Sequence, residues 1–81
     1  MAVIISPNPT SDAVKVFVTG VNTTANISLL NTKGQLVKRW SNQNVANSNR
    51  NELDLRGLAK AVYLLKIETG GIVLVEKLII Q

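Results

Sequence analysis

The stretch Val14-Lys15-Val16-Phe17-Val18-Thr19 decides the fold class of this chain. Its three β-branched valines alternate with lysine, phenylalanine and threonine, which is the period of two that a half-buried strand requires. No stretch of comparable length places apolar residues three and four apart with capping residues at its ends. The sequence is therefore predicted to be all-β.

Two hairpins are predicted on either side of the centre of the chain. Asn31-Thr32-Lys33-Gly34 has turn formers at its start and a glycine at its end, which favours a type I turn closed by a left-handed residue. This turn joins a strand over 26–30 to a strand over 35–40. Thr69-Gly70-Gly71 joins two apolar strands over 62–68 and 72–80. Because both faces of these last strands are largely apolar, both are predicted to be central in their sheet.

The polar segment 41–51 is interpreted as a long exposed connection between sheets, with a recognition loop as the alternative. The alternation in Glu52-Leu53-Asp54-Leu55 then turns both leucines inward. With a first strand over 3–5, the chain has about seven short strands. The prediction is a small antiparallel Ig-like β-sandwich of about seven strands in two sheets. Its predicted core contains Leu29, Leu53, Leu55, Leu65 and Ile67.

The residue types that are missing exclude most catalytic chemistry. The 81 residues include no histidine and no cysteine, so the chain has no imidazole base, no thiolate nucleophile and no zinc site with nitrogen and sulfur ligands. Its five carboxylates form no D-x-D-x-D run and no acidic pair. The chain is expected not to be an enzyme, and neither a cofactor nor a metal site is predicted.

The charge of the chain does not indicate nucleic acid as a partner. The formal charge is +4, but the nine basic residues are spread along the sequence and only Lys38 and Arg39 are adjacent. Phe17, Trp40 and Tyr63 are three scattered rings rather than a row of stacking platforms. The longest apolar run is interrupted by charges and is far shorter than the roughly 20 residues of a membrane helix. We therefore expect no nucleic acid partner and no direct insertion into a membrane.

Three short motifs stand out against this background. Pro7-Asn8-Pro9-Thr10 follows the first strand, and its prolines exclude a paired central strand, so by itself it indicates a rigid turn. The segment 58–67 is a turn that leads into a strand, in which Tyr63 is expected to be a core ring whose hydroxyl caps a backbone group. The ending Lys77-Leu78-Ile79-Ile80-Gln81 is more apolar than a solvated chain end, so it must be paired or await a partner.

The order and spacing of these motifs resemble the type A C-terminal sorting domain of the bacterial type IX secretion system, over nearly the whole chain. The family glycine two residues before the tyrosine is replaced here by Ala61. If that glycine serves a positive φ, alanine costs about 1 kcal/mol, and if it serves only close packing, alanine is tolerated. The positions that match the family motifs are Pro7, Asn8 and Pro9; Gly34 with Leu36 and Val37; Leu58, Tyr63 and Ile67; and Lys77, Leu78 and Ile79.

The resemblance implies that the domain is a secretion signal and not a catalyst. Residues 1–81 would be a single C-terminal sorting domain, with the sandwich over 3–81, cut from a longer secreted precursor. Its partners would be the type IX translocon with its shuttle components and a sortase-like C-terminal signal peptidase. The cargo would travel through the periplasm to the surface of a Gram-negative bacterium, where it is anchored or released after the domain is removed.

Two alternatives come from other functional classes. A carbohydrate-binding or adhesion β-sandwich would use Trp40 as its stacking platform, although the sequence offers no second tryptophan. A structural Ig-like spacer would need no site. Within the sorting hypothesis, the terminal strand is expected to carry the export signal, with 7–9 and 42–51 as the other places for it. The same apolar strand, if it lies at a sheet edge, could pair with a copy of itself.

Overall fold

The computed structural model describes residues 2–19, 24–44 and 51–81, and the regular structure in these residues is entirely β. The described residues form seven strands. They are β1 (Ala2–Ser6), β2 (Ala13–Thr19), β3 (Thr24–Leu30), β4 (Leu36–Asn44), β5 (Asn51–Asp54), β6 (Ala61–Thr69) and β7 (Ile72–Ile80).

The strands form two antiparallel sheets. One sheet has three strands in the order β1-β2-β5, and the other has four in the order β4-β3-β6-β7. Strand β2 is central in the first sheet because it pairs with β1 along one side and with β5 along the other. The predicted all-β sandwich of seven strands in two sheets is confirmed.

The core lies between the inner faces of the two sheets. The alternation in β2 places its three valines inward, where they are fully buried, while Lys15 is exposed. Strands β3, β5, β6 and β7 contribute buried positions in the same way, whereas β1 and β4 contribute only partly buried residues that pack against the cluster. The five predicted core residues are all buried, which confirms the period of two as the signal. The buried cluster consists of Val14, Val16, Val18, Ala25, Ile27, Leu29, Leu53, Leu55, Tyr63, Leu65, Ile67, Leu78 and Ile80.

Both predicted hairpins are present. In the first, Gly34 has a φ of +81°, and its N–H donates to the Asn31 carbonyl over 3.0 Å. The Asn31 side chain accepts from the backbone N–H groups of Lys33 and Gln35 at 2.9 and 3.0 Å, which is why asparagine favours the start of this turn. In the second hairpin, a two-residue loop is formed by Gly70 and Gly71, and both have positive φ.

Strand β4 is longer than its sequence pattern predicts. The predicted strand ends at 40, but β4 continues to Asn44 by pairing with the first residues of β3 after a register shift. Residues 41–44 are therefore strand and not part of the connection, because ladder hydrogen bonds outweigh the local preference of asparagine for loops. The rest of the predicted connection, 45–50, lies outside the described residues.

The prediction that β7 is central is wrong, whereas β6 is central as predicted. Strand β6 pairs with β3 on one side and with β7 on the other, so β7 is the edge strand. The two-residue turn places β7 directly beside β6. None of the described strands pairs with the other side of β7. Apolar residues on both faces of β7 therefore do not indicate a central position.

On the β4 side of the sandwich, a hydrogen bond links the two sheets. The Lys38 ammonium of β4 donates to the Asp54 backbone carbonyl at the end of β5 over 2.8 Å. Beside it, the Arg56 side chain donates to both carboxylate oxygens of Asp54, at 3.0 and 2.9 Å. These hydrogen bonds, together with the one from the Arg56 backbone N–H, hold the pKa of the Asp54 carboxyl well below its usual range.

We predict that Leu65→Ala lowers the free energy of unfolding by about 2 to 5 kcal/mol, because a fully buried leucine leaves a cavity when it is truncated. Val62→Ala is the matched control, since Val62 lies on the outer face of the same strand and is 37% exposed. This control is expected to cost no more than about 1 kcal/mol. Urea denaturation of both variants measures the difference, and equal costs would contradict the assigned core.

We predict that the Asp54 carboxyl stays ionised as the pH falls through about 4, where an ordinary aspartate is half protonated. Because the folded-state pKa is lowered, the stabilisation is present above the unfolded-state pKa and is lost as the pH falls through the folded-state pKa. It is small, since both side chains are exposed. Titration of the carboxyl carbon by NMR measures this pKa. Arg56→Ala should return it toward about 3.9, and the control Arg39→Ala should leave it unchanged.

Candidate functional site

The segment that follows β1 pairs with the end of β7. We call residues 7–10 the opening segment. The Thr10 N–H donates to the Ile79 carbonyl over 2.9 Å, and the Gln81 N–H donates to the Thr10 carbonyl over 2.7 Å. Thr10 and Ile80 thereby form a parallel bridge. The opening segment thus extends the four-stranded sheet beyond β7 at the C-terminal end of that strand.

The Asn8 side chain continues this pairing with its amide group. Its Nδ2 donates to the Lys77 carbonyl over 2.8 Å, and its Oδ1 accepts from the Ile79 N–H over 3.1 Å. A primary amide offers a donor and an acceptor in the same plane, as a peptide group does. Asn8 therefore takes the place of a peptide group in the ladder along β7.

The two residues that flank Asn8 cannot contribute backbone donors to this pairing, so the Asn8 side chain makes it. Pro7 and Pro9 have no backbone N–H to donate, so the backbone at these two positions cannot donate to a ladder. The peptide bonds before both prolines are cis. The prediction that this motif is not a paired central strand is consistent with this arrangement.

Thr10 anchors the other end of the opening segment, and the sequence motif that includes it assigns it no role. It is buried, and its Oγ1 donates to the Ala13 carbonyl over 2.6 Å while its backbone bridges to β7. A hydroxyl after a proline pair is a weak signal, because threonine is common in turns. The role of Thr10 is visible only from the backbone hydrogen bonds that it makes at the end of β7.

The residues predicted from the resemblance divide into two groups. The first group lies on the surface at one place: the exposed residues of the opening segment, exposed Lys77 and half-buried Ile79. The second group builds the fold. It consists of Gly34 in the first hairpin, Leu58 packed against the core, and buried Tyr63, Ile67 and Leu78.

Tyr63 has the role that the sequence indicates. Its ring is buried, and its hydroxyl donates to the Ala59 carbonyl over 2.7 Å, which fixes the loop before β6. Ala61 is the first residue of β6 and pairs with Ile80. Alanine suits this extended strand position, so the departure from the family glycine requires no shifted turn.

An apolar patch lies on the outer face of the four-stranded sheet next to Lys77. The strand registers place Leu36, Leu30, Leu64 and Lys77 in one row across the sheet, and Val62 beside Ile79 in the next. Leu36 is 58% exposed and Val62 is 37% exposed. We call Leu30, Leu36, Val62, Leu64 and Ile79 the outer patch.

Trp40 is not an open stacking platform. Its ring is half-buried against the core, and the Lys38 ammonium lies 5.4 Å from the ring centroid. The carbohydrate-binding alternative depends on this ring being free, and the geometry does not support it. Within the described ranges, acidic side chains form no group of three or more that could hold a metal ion. The part of the chain that the structure describes has no helix that could cross a membrane.

Comparison with known families matches the chain to one description. The family model for the secretion system C-terminal sorting domain covers residues 5–81. The match includes both the opening segment and β7, which the structure brings together. No curated protein matches the chain.

We predict that Asn8→Ala speeds hydrogen exchange at the Ile79 amide and lowers the free energy of unfolding by about 1 kcal/mol, because two side-chain hydrogen bonds are lost. The amides of Leu78 and Ile80 serve as internal controls, since they point toward β6 and should keep their protection. Asn8→Asp keeps the acceptor but loses the donor, so it should retain part of the protection at Ile79. Unchanged exchange at Ile79 in Asn8→Ala would contradict the assigned contact.

Proposed function

Because the chain belongs to the type IX secretion family of C-terminal sorting domains, we propose that the translocon recognises it at one composite surface, made of the opening segment, the end of β7 and the outer patch. The family serves as a secretion signal and not as a catalytic domain. This role implies that the cargo reaches the cell surface or the outside of a Gram-negative bacterium.

The observation that carries the proposal is the pairing of the opening segment with β7. Four hydrogen bonds of 2.7 to 3.1 Å join motifs that lie about seventy residues apart in the sequence. The two motifs are therefore one surface, whose geometry depends on the folded domain and not on the cargo. Such a surface allows the same machinery to handle different cargo proteins.

The chemistry of this surface suits a protein partner. The outer patch offers leucine and valine side chains at its centre, and Lys77 borders it in the same row of the sheet. An apolar centre with a charged rim is the usual composition of a protein interface. The shuttle components of the translocon would contact this patch from the outer side of the four-stranded sheet.

Removal by a sortase-like peptidase would follow export, with the cut ahead of β1. Strand β1 pairs with β2 over five residues, and the opening segment is held on β7. A peptidase requires an extended and accessible chain, so paired backbone is a poor substrate. The cargo would then be anchored at the surface or released.

Lys77→Ala tests the composite surface in a reporter protein fused ahead of the domain. Lys77 is exposed, so the change in stability is expected to stay within about 0.5 kcal/mol. We expect secretion of the reporter to fall severalfold because the cationic rim is lost. Lys33→Ala is the matched control, since Lys33 is an exposed lysine that belongs to neither the opening segment, the end of β7 nor the outer patch.

The readout is the ratio of reporter outside the cell to reporter in the periplasm, measured beside the melting temperature of each purified domain. Deletion of 77–81 is less informative, because it removes buried Leu78 and Ile80 and so also destabilises the domain. Normal secretion of folded Lys77→Ala and of a folded truncation would move recognition to the opening segment or to 42–51.

A further inference from the structure

The outer edge of β7 is divided into a covered part and an open part. The opening segment covers the C-terminal part by bonding the Lys77 carbonyl, both backbone groups of Ile79 and the Gln81 N–H. Ahead of these groups lies 72–76, which pairs with β6 along one side, and no described residue pairs with its other side. We call 72–76 the open edge.

The direction of the backbone groups on the open edge follows from the covered part. The groups bonded by the opening segment belong to odd-numbered residues, and these point away from β6. The register between β6 and β7 is unbroken from Ala61 opposite Ile80 to Thr69 opposite Ile72. In an antiparallel strand the backbone groups of successive residues point alternately to the two sides. Val73 and Val75 therefore also turn their N–H and C=O groups away from β6.

The open edge lacks the usual protection of an edge strand. Val73 is 52% exposed and Val75 is 53% exposed, and Ile72 beside them is 45% exposed. Edge strands are commonly protected by prolines, bulges or lysines, and this stretch has only Glu76. Apolar side chains and unpaired backbone groups therefore lie together on one stretch of strand.

We propose that the open edge pairs antiparallel with the open edge of a second copy of this chain, about a two-fold axis at Leu74. Each Val73 then lies opposite Val75 of the partner subunit, and both outward N–H and C=O groups of these residues are bonded. The two valine pairs give four backbone hydrogen bonds. Leu74 meets its own copy between them, in a pair that shares no hydrogen bond.

The self-complementary register is the argument for a second copy. Only symmetry about Leu74 places both outward valines of each copy opposite valines. An axis at Val75 would place Val73 of the partner subunit opposite Lys77, whose carbonyl Asn8 already occupies. The opening segment therefore limits the pairing to the open edge and fixes its register.

The expected dimer is weak, since a five-residue ladder buries far less than the roughly 1,200 Å² of a stable interface. It should form reversibly at about 0.1 to 1 mM protein, the weak end of the affinity scale. A disulfide trap detects such pairing, and the chain contains no cysteine that would interfere. The inference goes beyond the proposed function and does not depend on it.

The test compares Leu74→Cys with Ile72→Cys in the 81-residue chain. In the proposed register the two Leu74 Cα atoms lie about 4.5 Å apart, within disulfide range, whereas the two Ile72 Cα atoms lie about 14 Å apart. Both residues lie on the same face of β7. In glutathione buffer at high protein concentration, Leu74→Cys should form cross-linked dimer severalfold more than Ile72→Cys.

A proline substitution checks that the backbone groups of the open edge are responsible. Val75→Pro removes an outward N–H without removing a hydrogen bond to β6, so it should abolish cross-linking in the Leu74→Cys background. Sedimentation velocity of the unmodified chain up to about 1 mM should show a reversible dimer. Equal cross-linking of both cysteine variants, or a monomer over the whole concentration range, would overturn the proposal.

Discussion

The pairing of the opening segment with β7 is the contact on which the arrangement of this domain depends. Because it has no cysteine, a chain of 81 residues must hold its sandwich together by packing and hydrogen bonds without disulfides. The core joins the faces of the sheets, but it does not close their sides. On the β7 side the opening segment, which links two strands of the three-stranded sheet, bonds β7 of the four-stranded sheet, and on the β4 side Lys38 bonds the Asp54 carbonyl.

The motif residues therefore have two different physical roles. Tyr63 and Leu78 face each other across the inner side of the β6–β7 pair and are buried, so they determine whether the domain folds. Lys77 is exposed on the surface that the fold creates. A change in the first kind of residue acts through stability, whereas a change in the second kind leaves the fold and alters the surface. This separation allows recognition to be tested without unfolding the domain.

The sequence predicts what depends on local pattern. Alternation identified the strands and the core leucines, because a period of two fixes which side chains face inward. Gly34 and the Gly70-Gly71 pair identified the turns, because few other residues adopt positive φ there. The twelve residues matched by the resemblance were tied to motifs, but the resemblance does not state that the first and last motifs touch.

The misses have a common cause, which is pairing over long distances in the sequence. The side chain of Asn8 bonds a residue 69 positions away, and no local pattern indicates that partner. The edge position of β7 depends on which strand occupies the other side of β6. The length of β4 depends on the first residues of β3. Each of these is a property of the assembled sheet and not of the segment itself.

The division of β7 gives its two parts different kinds of specificity. In the covered part the backbone groups are already bonded, so a partner meets only side chains such as Lys77 and Ile79. The recognition proposed for this place would therefore depend on residue identity. In the open edge a partner meets free backbone groups, which any extended strand can bond. Pairing there tolerates changes in sequence and depends on register instead. The opening segment determines where on β7 recognition of side chains gives way to pairing of backbone groups.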